Sequence, residues 1–357
     1  MAIPEAPVNA MLDDDPWLVD PAGFTACRSP GERVRFLVTY AVLAPSGHNT
    51  QPWLFHATGA DRIELRADRA RALPVVDPHD RALVISCGAA LANLRRAAVA
   101  FGVELRVDAL PDAADADLLA RVQATGTAAV PPDAGMLLRA MTQRRTARFA
   151  FTPDAVPDAA ARRAIAAAGE AGDATLHWCS EPAQKHALGV LVAEGDRAQM
   201  ADPAFRRELA AWIRSRHADS RDGLSGAAFG MPDLLSFVGA LTVRTFDMGE
   251  GQSARDLALA DGSPALAVLA TPGDTPGDWM AAGAAMQRAL LALTGDGLAY
   301  SFLNQPIEVP ALRPRLAAAL GTGDTPQILI RVGRCTRDVP AAIRRPVGDV
   351  LVERATT

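Results

Sequence analysis

The sequence predicts an α+β fold in which the two halves of the chain repeat one outline. In each half a helix is followed by a special loop and then by further strands and helices, and in the first half WLFHA and RIELRA alternate between apolar and polar residues, as strands do. Each half also contains a long helix that is apolar on most of its surface, which is typical of a helix in the middle of a fold. These helices share a short echo, GAALANL at 88–94 and GAAMQRAL at 283–290, although alanine bias alone would produce a similar echo.

The first half begins after residues 1–28, which we expect to form an arm or a poorly ordered tail. Pro30 stands in the first turn of a helix after Ser29, and the apolar residues of 30–44 share one face. Gly102 is the expected residue just after the long apolar helix, because glycine adopts the left-handed conformation that ends many helices. The remaining elements are predicted as strands at 53–57 and 62–67, the apolar helix at 80–101, a strand at 103–110 and one further strand or helix within 111–133.

The second half is longer because it contains an insertion, 203–262, that has no counterpart in the first half. Long insertions in compact domains are usually lids, binding loops or disordered segments. We therefore expect a lid over a site between the halves, with an interface arm as the alternative. The remaining elements are helices at 135–142, 157–170, 182–199 and 277–293, and strands at 264–271 and 325–333. The predicted division is an arm at 1–28, a first repeat at 29–130, a second repeat at 131–335 with the insertion, and a C-terminal extension at 336–357.

The composition predicts a soluble globular protein and argues against several functional classes. The 357-residue chain is 49% hydrophobic and has a net charge of −5 spread along the sequence, so it lacks the basic face of a general nucleic-acid-binding protein. No apolar run reaches about 18 residues and the N-terminus has no signal-peptide pattern, so we expect neither a membrane span nor export. The four cysteines stand far apart, as in a cytoplasmic protein with buried thiols.

Common catalytic and metal-binding patterns are absent from the sequence. It contains no GxGxxG after a strand, no P-loop, no GxSxG and no HExxH. The six histidines are scattered, so the sequence predicts no metal site.

A cluster of arginines follows the first helix of the second half. The stretch QRRTARF contains three arginines and a threonine within five positions: Arg144, Arg145, Thr146 and Arg148. Charges this close repel one another unless an anion meets them, and guanidinium geometry suits a phosphate dianion. A second basic pair, Arg344 and Arg345, would complete a phosphate clamp if it lay nearby in space. The alternative is a solvated, salt-bridged surface turn.

A polar loop, APSGHNTQPW at 44–53, separates the first helix from the first strand. The residues that shape its turn or supply donors and acceptors include Pro45, Ser46, Asn49 and Gln51. Such a loop suits the edge of a flat heterocycle with alternating donors and acceptors, such as the pyrimidine ring of a flavin. The alternative is a structural loop whose side chains satisfy its own backbone.

Taken in order along the chain, these segments resemble the FMN-dependent nitroreductase superfamily, and in particular its single-chain, two-repeat Acg-type branch. The resemblance rests on APSGHNTQPWLF, RRTARF, GDGLAYSFLNQPIE at 295–308 and RRPVGDV, and it covers about residues 30–350. It implies a nitroreductase-like α+β fold with a mixed sheet in each half. Two fused, pseudo-symmetric repeats would mimic a homodimer, with FMN at the seam.

The resemblance also implies roles for individual residues. The turn that holds FMN phosphate and the ring edge in ordinary nitroreductases matches Arg144, Thr146 and Arg148, with Arg145 between them. The loop supplied by the partner subunit matches Pro45, Ser46 and Asn49, with Gln51 nearby. The basic pair that helps to hold phosphate matches Arg344 and Arg345. The segment that passes the reactive face of the flavin matches Leu303, Asn304 and Gln305.

The activity implied by the resemblance is that of an oxidoreductase. NAD(P)H would reduce the flavin and leave before a small-molecule substrate, such as a nitroaromatic or a quinone, collects the electrons. The flavin carries this chemistry, so no protein acid or base is assigned. The alternative is a protein that stores or sequesters FMN under a shut lid. Each half keeps one of the two motifs, which predicts one FMN per chain, in a monomer with an internal pseudo-dimer or a weak homo-oligomer.

Overall fold

Each half of the chain contributes four strands that pair antiparallel in the same order, and among the described residues the mixed sheet that the resemblance implies for each half is found only in the first, which the C-terminal strand joins in parallel. The computed structural model describes residues 15–214, 220–225, 244 and 247–353. Its strands are β1 (Trp53–Ala57), β2 (Arg62–Ala67), β3 (Val103–Ala109), β4 (Leu118–Thr127), β5 (Thr175–Cys179), β6 (Ile213–Arg214), β7 (Leu224–Ser225), β8 (Ala265–Thr271), β9 (Ala299–Phe302), β10 (Thr325–Gly333) and β11 (Leu351–Glu353). The order is β1-β2-β4-β3 in the first half and β5-β8-β10-β9 in the second. Both orders place the strands of a half as first, second, fourth, third.

The C-terminal strand β11 joins the sheet of the first half, where it pairs with β1 in parallel. The C-terminal end of the chain therefore crosses from the second half to the first. This crossing carries the basic pair at 344–345 towards the loop that precedes β1.

Helices connect and cover the strands. In the described ranges they are α1 (Pro30–Ala41), α2 (Arg81–Ala100), α3 (Ala134–Gln143), α4 (Asp158–Ala168), α5 (Pro182–Ala201), α6 (Pro203–Ala211), α7 (Gly249–Asp261), α8 (Pro276–Gly295), α9 (Gln305–Glu308), α10 (Arg313–Leu320) and α11 (Val347–Val350). The two longest apolar helices, α2 and α8, stand between the second and third strands of their halves and pack against each other. They form the seam between the halves.

Two glycines bring α2 and α8 into close contact. Gly88 and Gly283 are each the eighth residue of their helix. A Cβ atom on Gly88 would lie 2.5 Å from the Met280 carbonyl oxygen, and one on Gly283 would lie 2.1 Å from the Ile85 carbonyl oxygen. The contact is reciprocal, because each glycine faces the fifth residue of the opposite helix. Only glycine allows the two backbones to approach this closely.

Most elements predicted from the sequence are confirmed, and the differences lie in short strands and helix ends. The strands at 53–57, 62–67 and 325–333 have the predicted bounds, and the undecided stretch 111–133 contains β4. The first helix ends at Ala41 rather than at residue 44, because the next residues form a turn whose carbonyls bond to arginine side chains. The sequence analysis does not predict β5, β9 or β11, and the three to four residues of β9 and β11 are too few to show alternation.

The described part of the N-terminal segment, 15–28, is a packed arm rather than a loose tail. Trp17 is only 6% exposed and belongs to the main apolar core. The arm leads into α1 through a reciprocal cap, in which Ser29 accepts a hydrogen bond from the Glu32 amide and Glu32 accepts one from the Ser29 amide. Residues 1–14 lie outside the described residues.

The insertion contributes to the body of the second half. Helix α7 packs against α5, where a Cβ atom on Gly189 would lie 2.9 Å from Leu257. The short parallel pair of β6 and β7 belongs to the same insertion. The predicted lid also includes 215–219, 226–243 and 245–246, which lie outside the described residues.

One described helix, α2, has the length and apolar character of a membrane span. Most of that stretch is buried inside this protein, where it packs against α8. We therefore interpret α2 as a core helix.

Candidate functional site

The loop before β1 has an unusual backbone. His48, Asn49 and Gln51 all have positive φ angles, between 48° and 56°. Residues other than glycine rarely adopt this conformation, and such strain persists only where surrounding contacts enforce it. One of these contacts is the hydrogen bond that the Gln51 amide donates to Ser46 Oγ at 2.9 Å. The loop is therefore a rigid element rather than an adaptable one.

The amide side chains of this loop bind the C-terminal basic pair. Asn49 Oδ1 accepts a hydrogen bond from Arg344 Nη1 at 2.6 Å, and Asn49 Nδ2 donates to the Ile343 carbonyl at 3.0 Å. Gln51 Oε1 accepts one from the Arg345 backbone amide at 2.8 Å. Two segments almost 300 residues apart in the sequence are thus joined side by side.

The remaining amide hydrogens of the loop bind the insertion. Asn49 Nδ2 also donates to the Gly223 carbonyl at 3.0 Å, and Gln51 Nε2 donates to the Arg221 carbonyl at 2.9 Å. Asp222, between these two carbonyls, pairs with Arg71 at 2.7 Å. Both amide side chains are therefore bonded to backbone groups of the protein itself. The alternative interpretation of this loop is that its side chains satisfy the loop's own backbone. Instead, most of their backbone partners lie at 221–223 and 343–345.

Arg144 and Arg344 converge on the C-terminal end of α1. Arg144 is 2% exposed and donates to the Leu43 carbonyl at 3.1 Å and to the Tyr300 hydroxyl at 3.0 Å. Arg344 is 3% exposed and donates to the Ala44 carbonyl at 3.1 Å. Cations are favourable at this end of a helix because its carbonyl groups carry partial negative charge. The Nε atoms of both arginines are buried and have no hydrogen-bond partner within the described part of the chain.

A third arginine joins them around one aromatic ring. The guanidinium carbons of Arg145, Arg344 and Arg144 lie 4.3, 4.9 and 5.7 Å from the centroid of the Trp17 ring. We call Arg144, Arg145 and Arg344 the arginine cluster. No carboxylate of the described residues lies within 4.0 Å of its nitrogen atoms. Burial, followed by the charges of Arg144 and Arg145, holds the pKa of Arg344 well below its usual range.

The rest of the arginine turn runs along the edge of β9 and faces the polar loop. Thr146 forms an isolated parallel bridge with Tyr300, and the Ala147 amide donates to the Tyr300 carbonyl at 2.8 Å. Burial and the nearby charge of Arg148 lower the pKa of His48 to about 4. The charge of Arg148 therefore acts on the loop that contains His48 and Asn49. The fold brings the two predicted motifs, one from each half, to a common place.

The segment 303–305 has other partners. Leu303 is buried in a second apolar cluster, and Asn304 Oδ1 accepts a hydrogen bond from the Leu329 amide at 2.9 Å. Gln305 Nε2 donates to Asp196 Oδ1 at 3.0 Å and to Asp256 Oδ2 at 2.9 Å. None of these contacts involves Arg144, Arg145 or Arg344, although the charge of Asp256 acts on Arg148 of the arginine turn, whose pKa burial lowers. Their predicted place at the reactive face of a flavin stays a prediction.

The sequence contains no local signal for the buried carboxyl pair of Asp196 and Asp256. The two residues stand 60 positions apart on α5 and α7, and no local pattern links them. Gln252 also donates to Asp256, at 2.9 Å. Burial and the charge of Asp256 raise the pKa of Asp196 to about 8, so this carboxyl keeps its proton at neutral pH. Within the described ranges, no group of three acidic, histidine or cysteine side chains is placed to hold a metal ion.

Replacement of Asp196 by asparagine is expected to abolish a fall in the free energy of unfolding that the wild type shows as the pH rises. The folded protein holds a proton on Asp196 up to about pH 8, whereas an unfolded aspartate releases it near pH 4. The free energy of unfolding of the wild type therefore falls as the pH rises between these values. Between pH 6 and pH 9 we expect the free energy of unfolding of the wild type to fall by about 1–2 kcal/mol relative to that of Asp196→Asn. The value is below that of a full pKa shift because Asp196 and Asp256 share the proton.

Urea unfolding at pH 6 and pH 9 measures this difference. Asp338→Asn is the control, because it makes the same substitution at an exposed position. Parallel pH dependences for the wild type and Asp196→Asn would show that Asp196 does not carry the proton.

Comparison with known proteins identifies the family. The sequence signature of the nitroreductase family matches residues 141–334. A protein of Mycobacterium tuberculosis strain H37Rv, "Putative NAD(P)H nitroreductase Rv3131", is 31% identical over 322 residues, and the alignment covers 88% of each chain. This chain belongs to the nitroreductase family.

This nitroreductase-family chain is also similar to a protein of the Acg type that its motifs resemble. "Putative NAD(P)H nitroreductase acg" of M. tuberculosis is 28% identical over 331 residues, covering 90% of this chain and 96% of that protein. The resemblance to Acg-type proteins that the motifs indicate is thereby confirmed. The family signature covers only the second half, which contains the arginine turn. The two relatives align with 88% and 90% of the chain, and so with most of both halves.

Solved structures of the family are also similar to this nitroreductase-family chain. The FMN-dependent nitroreductase NfnB from Mycobacterium smegmatis, in complex with NADPH, is 22% identical, with a TM-score of 0.34, and the match covers 63% of this chain and 97% of NfnB. A nitroreductase with bound FMN from Bacteroides fragilis is 12% identical, with a TM-score of 0.35, and covers 57% of this chain and 95% of its own.

Proposed function

We propose that this protein binds FMN with the phosphate at the arginine cluster and acts as an oxidoreductase that takes electrons from NAD(P)H. The observation that carries the proposal is the meeting of three guanidinium groups around Trp17, those of Arg144 and Arg344 buried and that of Arg145 half-buried, without a carboxylate within 4.0 Å among the described residues. Family membership supports the same conclusion, as do the names of its relatives and the FMN and NADPH of solved family members.

The residues of the cluster fit a phosphate dianion. Arg144 and Arg344 each keep one buried Nε–H without a partner in the described structure, and a buried donor of this kind costs free energy until an acceptor reaches it. A dianion also relieves the mutual repulsion that lowers the pKa of Arg344 and Arg145. Each charge-assisted hydrogen bond of this type contributes about 1.5–3 kcal/mol.

The polar loop acts on the cluster by positioning it. Asn49 orients Arg344 through Oδ1, and Gln51 holds the backbone at Arg345. On the other side Tyr300 orients Arg144 through its hydroxyl. We therefore propose Asn49, Gln51 and Tyr300 as positioning residues for phosphate binding. Pro45 and Ser46 would shape the loop that brings the first two to the cluster.

The bound flavin would supply the hydride and electron transfer, and the protein would bind and orient it. Arg148 and Thr146 stand on the arginine turn beside the polar loop, so we propose that they contact the isoalloxazine ring or its ribityl chain. A guanidinium there would stabilise negative charge that develops on the reduced ring. Nitroaromatics and quinones are the proposed electron acceptors.

We further propose that the two halves are repeats that imitate a homodimer within one chain. The shared strand order and the reciprocal glycine contact support this proposal. Since only one arginine turn and one polar loop are present in the sequence, one FMN per chain is expected.

Storage or sequestration of FMN is a second candidate function, and one observation favours it. The backbone at 221–223 bonds to both Asn49 and Gln51, so the insertion is docked on the polar loop. A docked insertion would restrict access of a nicotinamide to a flavin held there.

The reaction with a nicotinamide coenzyme separates these functions. We expect the purified protein to be yellow and to lose its visible absorbance within seconds of anaerobic addition of NADPH or NADH, and then to be reoxidised by a nitroaromatic or a quinone. Free FMN at the same concentration is the control for direct reduction. A yellow protein that both coenzymes leave unchanged would support storage. A colourless protein that takes up no added FMN would contradict both functions.

A further inference from the structure

The N-terminal arm brings an aromatic ring into the middle of the arginine cluster. Trp17 is 6% exposed, and its ring lies within 5.7 Å of all three guanidinium carbons. Its indole N–H donates to the Ala342 carbonyl at 2.7 Å, next to the segment that carries Arg344. Among the described residues, Trp17 thus provides a partner that the cluster shares, because the electron-rich face of tryptophan attracts cations.

The ring stands where a shared anion would stand. With N–H···O distances of about 2.8 Å, the centre of a phosphate bound to a guanidinium group lies about 4 Å from the guanidinium carbon. The centroid of the Trp17 ring is 4.3, 4.9 and 5.7 Å from the three carbons. A phosphate that contacts these arginines from the side on which Trp17 lies would therefore compete with the indole ring for the same space.

A tight turn and a carboxylate hold the ring in this place. The Leu18 amide donates to the Asp15 carbonyl at 2.8 Å, and the Trp17 amide donates to Asp15 Oδ1 at 3.1 Å. The charge of Asp15 also favours the cationic form of Arg145, whose pKa burial and Arg144 lower. The arm thus presents a negative charge and an aromatic face to the cluster.

We propose that the segment 15–18 is an autoinhibitory arm, in which Trp17 occupies the phosphate position of the arginine cluster and must leave before an anion binds there. The identity of the natural ligand, FMN, rests on the proposed function. The competition between Trp17 and a phosphate for the arginine cluster rests on the geometry alone. The three cation–π contacts of one neutral ring are weaker than charge-assisted bonds to a dianion, so a phosphate displaces the arm. Only molecules in which the arm is undocked can bind the anion. The apparent affinity is therefore the intrinsic affinity multiplied by the undocked fraction.

Two tryptophan variants test the competition in the full-length apoprotein. Trp17→Ala removes the ring, and we expect it to bind FMN about tenfold more tightly than the wild type, which corresponds to about 1.4 kcal/mol. Trp17→Phe keeps an aromatic ring but cannot donate to Ala342, so we expect an intermediate gain. Thermal unfolding of each variant establishes that it is folded.

Inorganic phosphate provides a second readout that does not depend on FMN. Titration with phosphate is expected to change the tryptophan emission of the wild type in a saturable manner, because Trp17 leaves its buried site. The change is expected to disappear in Trp17→Phe and to persist in Trp212→Phe. Trp212 is the matched control, since its ring also stacks on an arginine, Arg214, at 5.3 Å.

The outcomes distinguish this proposal from the proposed function. Equal or weaker FMN binding by Trp17→Ala would overturn the autoinhibitory arm and leave FMN binding intact. Saturable phosphate binding that Trp17→Ala strengthens, measured by isothermal titration calorimetry, without FMN binding by any variant, would support the arm and contradict FMN as the ligand. No response to either phosphate or FMN in any variant would overturn the arm.

Discussion

Arg344→Ala is expected to weaken FMN binding about 100-fold. The substitution removes one of the three cations of the arginine cluster, and it leaves Asn49 Oδ1 and the Ala44 carbonyl without the donor that they share. A charge-assisted hydrogen bond contributes about 1.5–3 kcal/mol, and every 1.4 kcal/mol corresponds to a tenfold change in the dissociation constant. Because Arg344 is almost fully buried, solvent does not screen its interaction with a bound dianion.

Fluorescence titration of the apoprotein with FMN measures this effect, and the absorbance that remains after gel filtration provides a second measurement. Arg315→Ala is the matched control, because it removes the same charge from an exposed side chain that pairs only with Glu194 in the described structure. Arg344→Lys is expected to give an intermediate affinity, since lysine keeps the charge but not the planar fork. Full FMN occupancy in Arg344→Ala would show that the phosphate site has been misplaced.

Gly283→Ala is expected to lower the free energy of unfolding by about 3 kcal/mol or more. The new Cβ atom would lie 2.1 Å from the Ile85 carbonyl oxygen and 2.8 Å from the Ala89 amide nitrogen, both of them backbone atoms of α2. Backbone atoms in the middle of a packed helix cannot rotate away as a side chain does, so the two helices must separate. Overpacking of a core costs about 1–3 kcal/mol when side chains can adjust, and more when they cannot.

Urea unfolding measures the loss of stability in Gly283→Ala. Gly295→Ala in the same helix is the matched control, because no atom lies within 4 Å of the Cβ atom it would add. Alanine has the higher helix propensity, so Gly295→Ala is expected to be neutral or stabilising by less than about 1 kcal/mol. If both variants were equally stable, the close contact between α2 and α8 would not be real.

The seam between α2 and α8 also decides whether the candidate site exists. The polar loop belongs to the first half and the arginine turn to the second, and β11 carries the chain back from the second half to the first. The packing of the two halves therefore sets the distance between Asn49 and the arginines. We expect Gly283→Ala to weaken FMN binding as well as to destabilise the fold.

Local sequence patterns predict the family, most of the helices and strands, and the motifs that meet at the candidate site. Periodicity identifies an element when it is long enough to show a repeat, as in the helices at 81–100 and 276–295. Motifs such as HNTQPW and RRTAR are local, so they are visible before folding. Their meeting in space was an expectation from resemblance, because the contact between them spans about 100 residues of sequence.

Only the tertiary structure decided which atoms each motif uses. Asn49 and Gln51 bind the basic pair and the insertion, Gln305 joins two buried carboxyl groups, and Trp17 enters the arginine cluster. In each case the partners lie far apart in the sequence, and a side chain of given type can bond to any group that folding brings near it. The residue types of a motif limit the groups that its side chains can bind. The packing of the whole chain determines which of these groups lies within hydrogen-bonding distance.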